Sequence, residues 1–387
     1  MSYRFFASLA GVLLAARILA AAPAPEVRAP YAQLIDYDTG HVLFEKNADQ
    51  PAQPGSLVHL LAIYRAFELV RAGALKLDQE IIVTPEMGRR IKNTYAQSGS
   101  ALFLDTYDRV RVSDLVRAMI VAQSNDAAIV LAIAAGTSEI NFADDLNALA
   151  ERLGMEGTNL ANPVGWIEKS NSLPAGDIAV LSRRLISDFP EYYGYFSEKE
   201  FSLRKDNPNK DNSNKLLWIM ASSDGLKASA STRSGYGLAA SAKKGPRRLI
   251  VVINGLKGAN PSYNRFIEAK RLLDWGFREF SNYVYFRPGD TVVEIPVWFG
   301  NRRSVKAGVS RPVVLTSPRG SEPDIRMRLE YSSPLRAPVR KGDAVGRLVL
   351  SPDGGEYDLV ANGAVGESGF MRNIIQNIRQ FMSRMVR

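Results

Sequence analysis

The sequence predicts a mixed α/β domain, followed by a small antiparallel β-rich domain and a C-terminal amphipathic helix. Three observations lead there. The segment Leu57 to Val70, LVHLLAIYRAFELV, is apolar nearly all round but too short to span a membrane, so it reads as a buried central helix. Strand-like runs follow it much later in the chain, at Gly225–Ala230, Gly235–Ala242 and Leu249–Asn254. Past Tyr283 the texture changes to short β-like runs (TVVEIPVWF, RPVVLTS, IRMRLEY, AVGRLVL, EYDLVA) separated by Gly, Pro and Asp turns, the spacing of a small sandwich or barrel. A length of 387 residues suits two domains, at roughly 100–200 residues each. The expected division is 1–24 as a signal, 25–282 as the first domain, 283–366 as the β-rich domain and 367–387 as the terminal helix.

The opening stretch, MSYRFFASLAGVLLAARILAAAPAPEV, has a positive start at Arg4, a short apolar core from Phe5 to Leu14 and small residues at Ala20, Ala21 and Ala22. That is the layout of a secretory signal, with an uncleaved anchor as the alternative. Arg17 interrupts the apolar run and argues against a permanent span. Export places the expected location in the periplasm, at the outer face of the inner membrane. Cysteine is absent, which excludes thiol catalysis and zinc–thiolate sites. His41 and His59 are the only histidines, so a histidine-rich metal site is not expected, and neither is a cofactor. The net charge is +9, or +7 without residues 1–22. Such a balance suits anionic lipid or cell-wall polymer. Nucleic acid is not expected, because no basic stripe carries interleaved aromatics.

Residues 31–45, YAQLIDYDTGHVLFE, read as a hairpin about Asp38, Thr39 and Gly40. Gly55 and Ser56 stand at the start of the central helix. A second helix is expected over Val112 to Ala122 with Ser113 as N-cap. A third, alanine-rich, runs from about Asp126 to Ala135, after a tight turn at Gln123-Ser124-Asn125. Residues 142–153 and 175–187 are further helix candidates, and 205–215, KDNPNKDNSNK, is polar enough for a surface loop. An amphipathic helix is expected over 262–280, carrying Phe266, Ile267, Leu272, Leu273, Trp275 and Phe277. At the end, GFMRNIIQNIRQFMSRMVR puts Phe370, Ile374, Ile378, Phe381 and Met385 on one helical face and four arginines elsewhere. This pattern fits a helix lying on anionic lipid through 369–387, with docking on the protein's own core as the alternative.

The segments Pro54-Gly-Ser-Leu-Val-His59, Gln123-Ser-Asn-Asp126 and Asp224-Gly-Leu-Lys-Ala-Ser229 occur in an informative order. Together with QSNDAAIVLA, DGLKASASTRSGYGLAASA, LLDWGFREF and PVWFG, they resemble the serine-type D-alanyl-D-alanine carboxypeptidases, the low-molecular-mass penicillin-binding proteins. That family uses S-x-x-K, S-x-N and K-T-G motifs. The resemblance covers nearly the whole mature chain. It implies a penicillin-binding/β-lactamase-like transpeptidase domain, a β-rich second domain and, often, a membrane-associating helix.

The resemblance implies that Ser56 is the acylating serine, placed where helix-end N–H groups favour negative charge; an N-cap serine is the alternative. His59 stands at the lysine position, on the same helical face as Ser56. It is either a base toward Ser56 or a histidine packed in the core. Gln123 falls where the family has its serine, although a shifted turn would present Ser124 instead. Asn125 is retained and is expected to contact the substrate backbone or position 59, with N-capping of the third helix as the alternative. Lys227 is retained, whereas Ala228 and Ser229 replace threonine and glycine. Arg248 aligns with a family arginine that attracts a carboxylate. The expected oxyanion donors are the N–H of Ser56 and one from the Lys227 strand.

Two functions follow. The first is a carboxypeptidase that removes terminal D-Ala from peptidoglycan stem peptides, with β-lactams as expected ligands. The second is a pseudoenzyme that binds peptidoglycan or a wall partner without hydrolysis. A β-lactamase fits less well, because the second domain and tail suit cell-wall work.

Overall fold

The computed structural model describes residues 21–95, 102–135, 139–203, 210–323, 325–351 and 355–368. Most of the expected signal, the expected helix over 369–387 and residues 204–209 of the polar loop lie outside the described residues. The chain forms two compact units that meet in sequence between Glu279 and Phe280.

The first unit begins with the expected hairpin, β1 (Tyr31–Asp36) and β2 (Val42–Lys46). Its turn closes because the Asp36 carboxylate accepts from the N–H groups of Asp38 and Thr39 at 3.0 and 3.2 Å. A short 3-10 turn, Gly55–Val58, leads into α1 (His59–Arg71). Then come β3 (Glu80–Ile82), α2 (Pro85–Tyr95), β4 (Arg109–Arg111), α3 (Val112–Val121), α4 (Asn125–Ala134), α5 (Glu139–Arg152) and α6 (Ala175–Asp188). The unit ends with α7 (Leu216–Ile219), β5 (Ser223–Ser231), β6 (Gly235–Lys244), β7 (Arg247–Leu256) and α8 (Pro261–Glu279). The pair β3–β4 was not legible in the sequence, since three-residue strands carry too little alternation to register.

Five strands make one antiparallel sheet in the order β2-β1-β7-β6-β5. Alternation along the strands divides the core. Ile35, Ile250, Val252 and Ala239 join the helical cluster built by α1, α3, α4 and α6. Leu34 and Leu249 turn to the other face, where they crowd Gly276 of α8 so closely that a Cβ there would stand within 3 Å of both. Alpha-1 is buried along most of its length, as its all-round apolarity required. Asp36, fully buried, is held by Arg247 Nε at 2.8 Å.

Two capping expectations are corrected. The N-cap of α3 is the extended residue Arg111, and Ser113 lies inside the first turn. The N-cap of α4 is Ser124, whose Oγ accepts from Ala127 N–H at 3.3 Å.

The second unit carries β8 (Phe280–Phe286), β9 (Val293–Trp298), β10 (Ser304–Val309), β11 (Val313–Pro318), β12 (Arg326–Tyr331), β13 (Leu335–Arg336), β14 (Ala344–Ser351) and β15 (Gly355–Ala361). Six form a sheet in the order β12-β14-β15-β10-β9-β13, and β11 pairs with β8. Ile295, Val305, Ala307, Leu348 and Leu359 fill its core. This is the short-stranded β-rich architecture that the turn spacing predicted. No helix among the described residues is long and apolar enough to cross a membrane.

Phe67 is fully buried on α1, among Phe189, Tyr192 and Tyr195 at centroid distances of 4.8 to 6.4 Å. Phe67→Ala is expected to cost about 3–5 kcal/mol, read as a lower midpoint in urea unfolding with an unchanged slope.

Candidate active site

The site is built where the 3-10 turn before α1 meets the edge strand β5. Gly55 has φ 49°, a left-handed conformation, and a Cβ on it would lie 2.5 Å from Ser229 Oγ. Glycine is therefore needed both for the bend and for the close approach. The loop around Gly165 leans on the same point, with space for a Cβ denied by the Gly55 carbonyl at 1.9 Å. Ser56 follows, half-buried, on the open side of this joint.

One acceptor atom organises the polar contacts. Ser56 Oγ donates to Gln123 Oε1 at 3.0 Å, and Ala230 N–H on β5 donates to the same oxygen at 3.1 Å. Ser56 N–H donates to Ser229 Oγ at 3.0 Å. Gln123 itself has φ 57° and is buried, an uncommon backbone state for a side chain of this size. The turn at 123–125 thus aims Gln123, and not Ser124, at the serine. Ser124 is fully buried and spends its hydroxyl on capping α4 and on the Asp126 carboxylate.

Beneath Ser56 lies a dry basic layer. His59 is fully buried, and neither ring nitrogen has a hydrogen-bond partner. Burial first, and then the nearby Lys227 ammonium, hold its pKa well below the usual imidazole value. The Met119 carbonyl and the Asn125 side chain adjoin the ring and oppose that shift without reaching hydrogen-bond geometry. His59 is therefore a neutral core histidine whose ring makes no hydrogen bond to Ser56 Oγ, and the base role expected for it has no support in this geometry. Lys227 is also fully buried, with Nζ donating to the Met119 carbonyl at the end of α3. Burial, joined by repulsion from Arg265, pushes its pKa well down. Asn125, buried at the start of α4, stands beside position 59.

Arg248 and Ala228 also stand outside the hydrogen bonds around Ser56. Arg248 forms a two-pronged ion pair with Asp224, both contacts at 2.7 Å, and lies against Tyr193 and Ser241. Its guanidinium is engaged by this ion pair. Ala228 is fully buried and offers neither hydroxyl nor exposed surface. Conversely, sequence reasoning missed Ala230 and Arg265. Arg265 is buried on α8 and donates to the carbonyls of Ser229 and Gly237, bracing the strand that faces Ser56. Its place on the apolar side of an amphipathic helix, one turn before Ala269 and two before Leu272, was the available signal for it.

Comparison with known proteins decides the family. A model described as D-alanyl-D-alanine carboxypeptidase matches residues 18–258. The chain belongs to that family. A second model, the C-terminal domain of penicillin-binding protein 5, matches residues 280–367. Among curated family members, D-alanyl-D-alanine carboxypeptidase DacC of Escherichia coli (strain K12) is 33% identical over 356 residues, covering 91% of this chain and 88% of the relative. The crystal structure of penicillin-binding protein 5 from Haemophilus influenzae superposes with a TM-score of 0.77 at 31% identity, covering 89% of this chain and all of that one. Penicillin-binding protein 6B from Escherichia coli gives a TM-score of 0.69 at 27% identity, covering 89% and 98%. The family's mixed α/β domain and its β-rich C-terminal domain are therefore both present.

The depressed pKa of His59 has a thermodynamic consequence. An unfolded histidine binds its proton as pH falls through about 6.5, whereas the folded one does not until lower pH. The unfolded chain then holds the extra proton, so stability is lost as pH drops below that point, by up to about 1.4 kcal/mol per pH unit for one proton. His59→Leu removes no hydrogen bond and is expected to leave stability at pH 7.5 unchanged or higher. Thermal melts between pH 7.5 and 5.5 should show a smaller loss for the variant than for the wild type.

Proposed function

We propose that this protein removes the terminal D-Ala from peptidoglycan stem peptides through an acyl-enzyme on Ser56. The observation that carries this reading is the convergence of Ser56 Oγ and Ala230 N–H on a single oxygen position. A peptide carbonyl placed there would lie beside the nucleophile and accept from a backbone donor. The edge of β5 is also suited to an extended peptide, by strand addition. Ser56 Oγ bonds to the carbonyl carbon, the C–N bond breaks and D-Ala leaves as an amine with the serine's proton. Water then releases the shortened peptide. β-Lactams are expected to acylate the same oxygen.

The chemistry is handicapped. Ser56 donates to an amide oxygen, which is not a base, and the His59 ring makes no hydrogen bond to its hydroxyl. Lack of a base in reach costs about 10²–10⁴ in rate. This one feature favours a second reading, in which the groove binds stem peptides without hydrolysing them. Export by the N-terminal segment and attachment of 369–387 to anionic lipid complete the proposal, on the composition of those segments. They place the protein at the outer face of the inner membrane.

The test is acylation of the purified chain by a fluorescent penicillin, followed by intact mass, with Ser56→Ala as control. A stoichiometric adduct that disappears in Ser56→Ala, formed over hours and not seconds, is the expected result. No adduct in a demonstrably folded sample would remove the acyl-enzyme and leave the binding reading.

A further inference from the structure

A substrate carbonyl at Ser56 needs unoccupied hydrogen-bond donors, and the two nearest backbone N–H groups are already taken. Ser56 N–H is taken by the hydroxyl of Ser229, and Ala230 N–H by the carboxamide oxygen of Gln123. Both acceptors belong to side chains of this chain at the two motifs where the resemblance leads one to expect serine and glycine. The Gln123 group is chemically an amide carbonyl, the same group that a stem peptide would present. It sits 3.0 Å from Ser56 Oγ and takes that proton in a hydrogen bond as well. Gln123 reaches this place from a left-handed backbone, a conformation that persists in a non-glycine residue only when its surroundings hold it.

We propose that Gln123 and Ser229 form an internal lock, standing in for the substrate carbonyl at Ser56 and Ala230, so that their withdrawal gates acylation. The proposal rests on the acyl-Ser56 reading for its consequence, but the lock itself is a property of the resting protein. The contacts are neutral and number three. Ala230 is exposed on an edge strand and Ser56 is half-buried, so an incoming peptide has a path to displace the glutamine. Ser229 is more firmly placed, because Arg265 grips its backbone carbonyl and Gly55 closes over its hydroxyl. Gln123 is accordingly the part that moves.

The experiment compares the full chain with Gln123→Ala, Ser229→Gly and the double variant, after thermal melts establish that each is folded. Amide hydrogen exchange at Ala230, read by NMR, is expected to quicken in Gln123→Ala. Acylation by a fluorescent penicillin is expected to accelerate about five- to a hundredfold in that variant, the equivalent of one or two net hydrogen bonds no longer opposing the substrate. Ser229→Gly, which frees only Ser56 N–H, should give a smaller gain. Unchanged exchange at Ala230, or acylation no faster than wild type in a folded Gln123→Ala protein that is still acylated, would overturn the lock. Faster exchange and tighter non-covalent binding of a D-Ala-D-Ala peptide, with neither protein acylated, would keep the lock and overturn the acyl-enzyme reading instead.

Discussion

The close approach of the 3-10 turn before α1 to the edge of β5 is the constraint on which the rest of the larger unit depends. It requires a backbone without a Cβ at Gly55, a hydroxyl at Ser229 to meet the Ser56 N–H, and a strand held in place by Arg265. Once that joint is fixed, Ser56 faces the strand edge and the next turn of α1 points His59 into the core. The sheet and the helices on its inner face supply the rigidity. Close packing of large buried groups such as Phe67 leaves little room for the joint to adjust.

The basic groups below the joint illustrate how burial changes chemistry. Lys227 and His59 both approach the carbonyl of Met119, yet among the described residues no carboxylate pairs with either. Desolvation is the largest influence on each, and it disfavours the charged form of both. Burial thus loosens the hold of both groups on their protons. A serine activated by a charged neighbour is not what this arrangement offers. What it offers is a neutral serine hydrogen-bonded from within the chain, by its N–H to Ser229 and by its hydroxyl to Gln123.

Much of the fold was legible. The all-round apolarity of 57–70 required burial, the turn formers at 38–40 required a hairpin, and the short runs past 283 required a β-rich unit. The site was legible in part. Ser56 and Lys227 stand out through their motifs, and Asn125 stands beside position 59. The ion pair of Arg248 was not foreseen because a charged residue on a strand gives no sign of which neighbour it will meet, and Asp224 lies 24 residues away along the chain. The cap of α4 was misplaced by one residue, since serine and asparagine both suit that role and only the backbone angles choose between them.

By itself, the sequence determined the family, the two-part architecture and the candidate for the nucleophile, because periodicity and motif order are written in consecutive residues. Tertiary structure decided what those residues face. Whether Gln123 or Ser124 looks at Ser56 turns on a single left-handed residue in a tight turn, and whether His59 is a base or a core side chain turns on the packing of α3 and β5 around it. Those outcomes depend on distances between segments far apart in the chain, to which local propensity and residue spacing are blind.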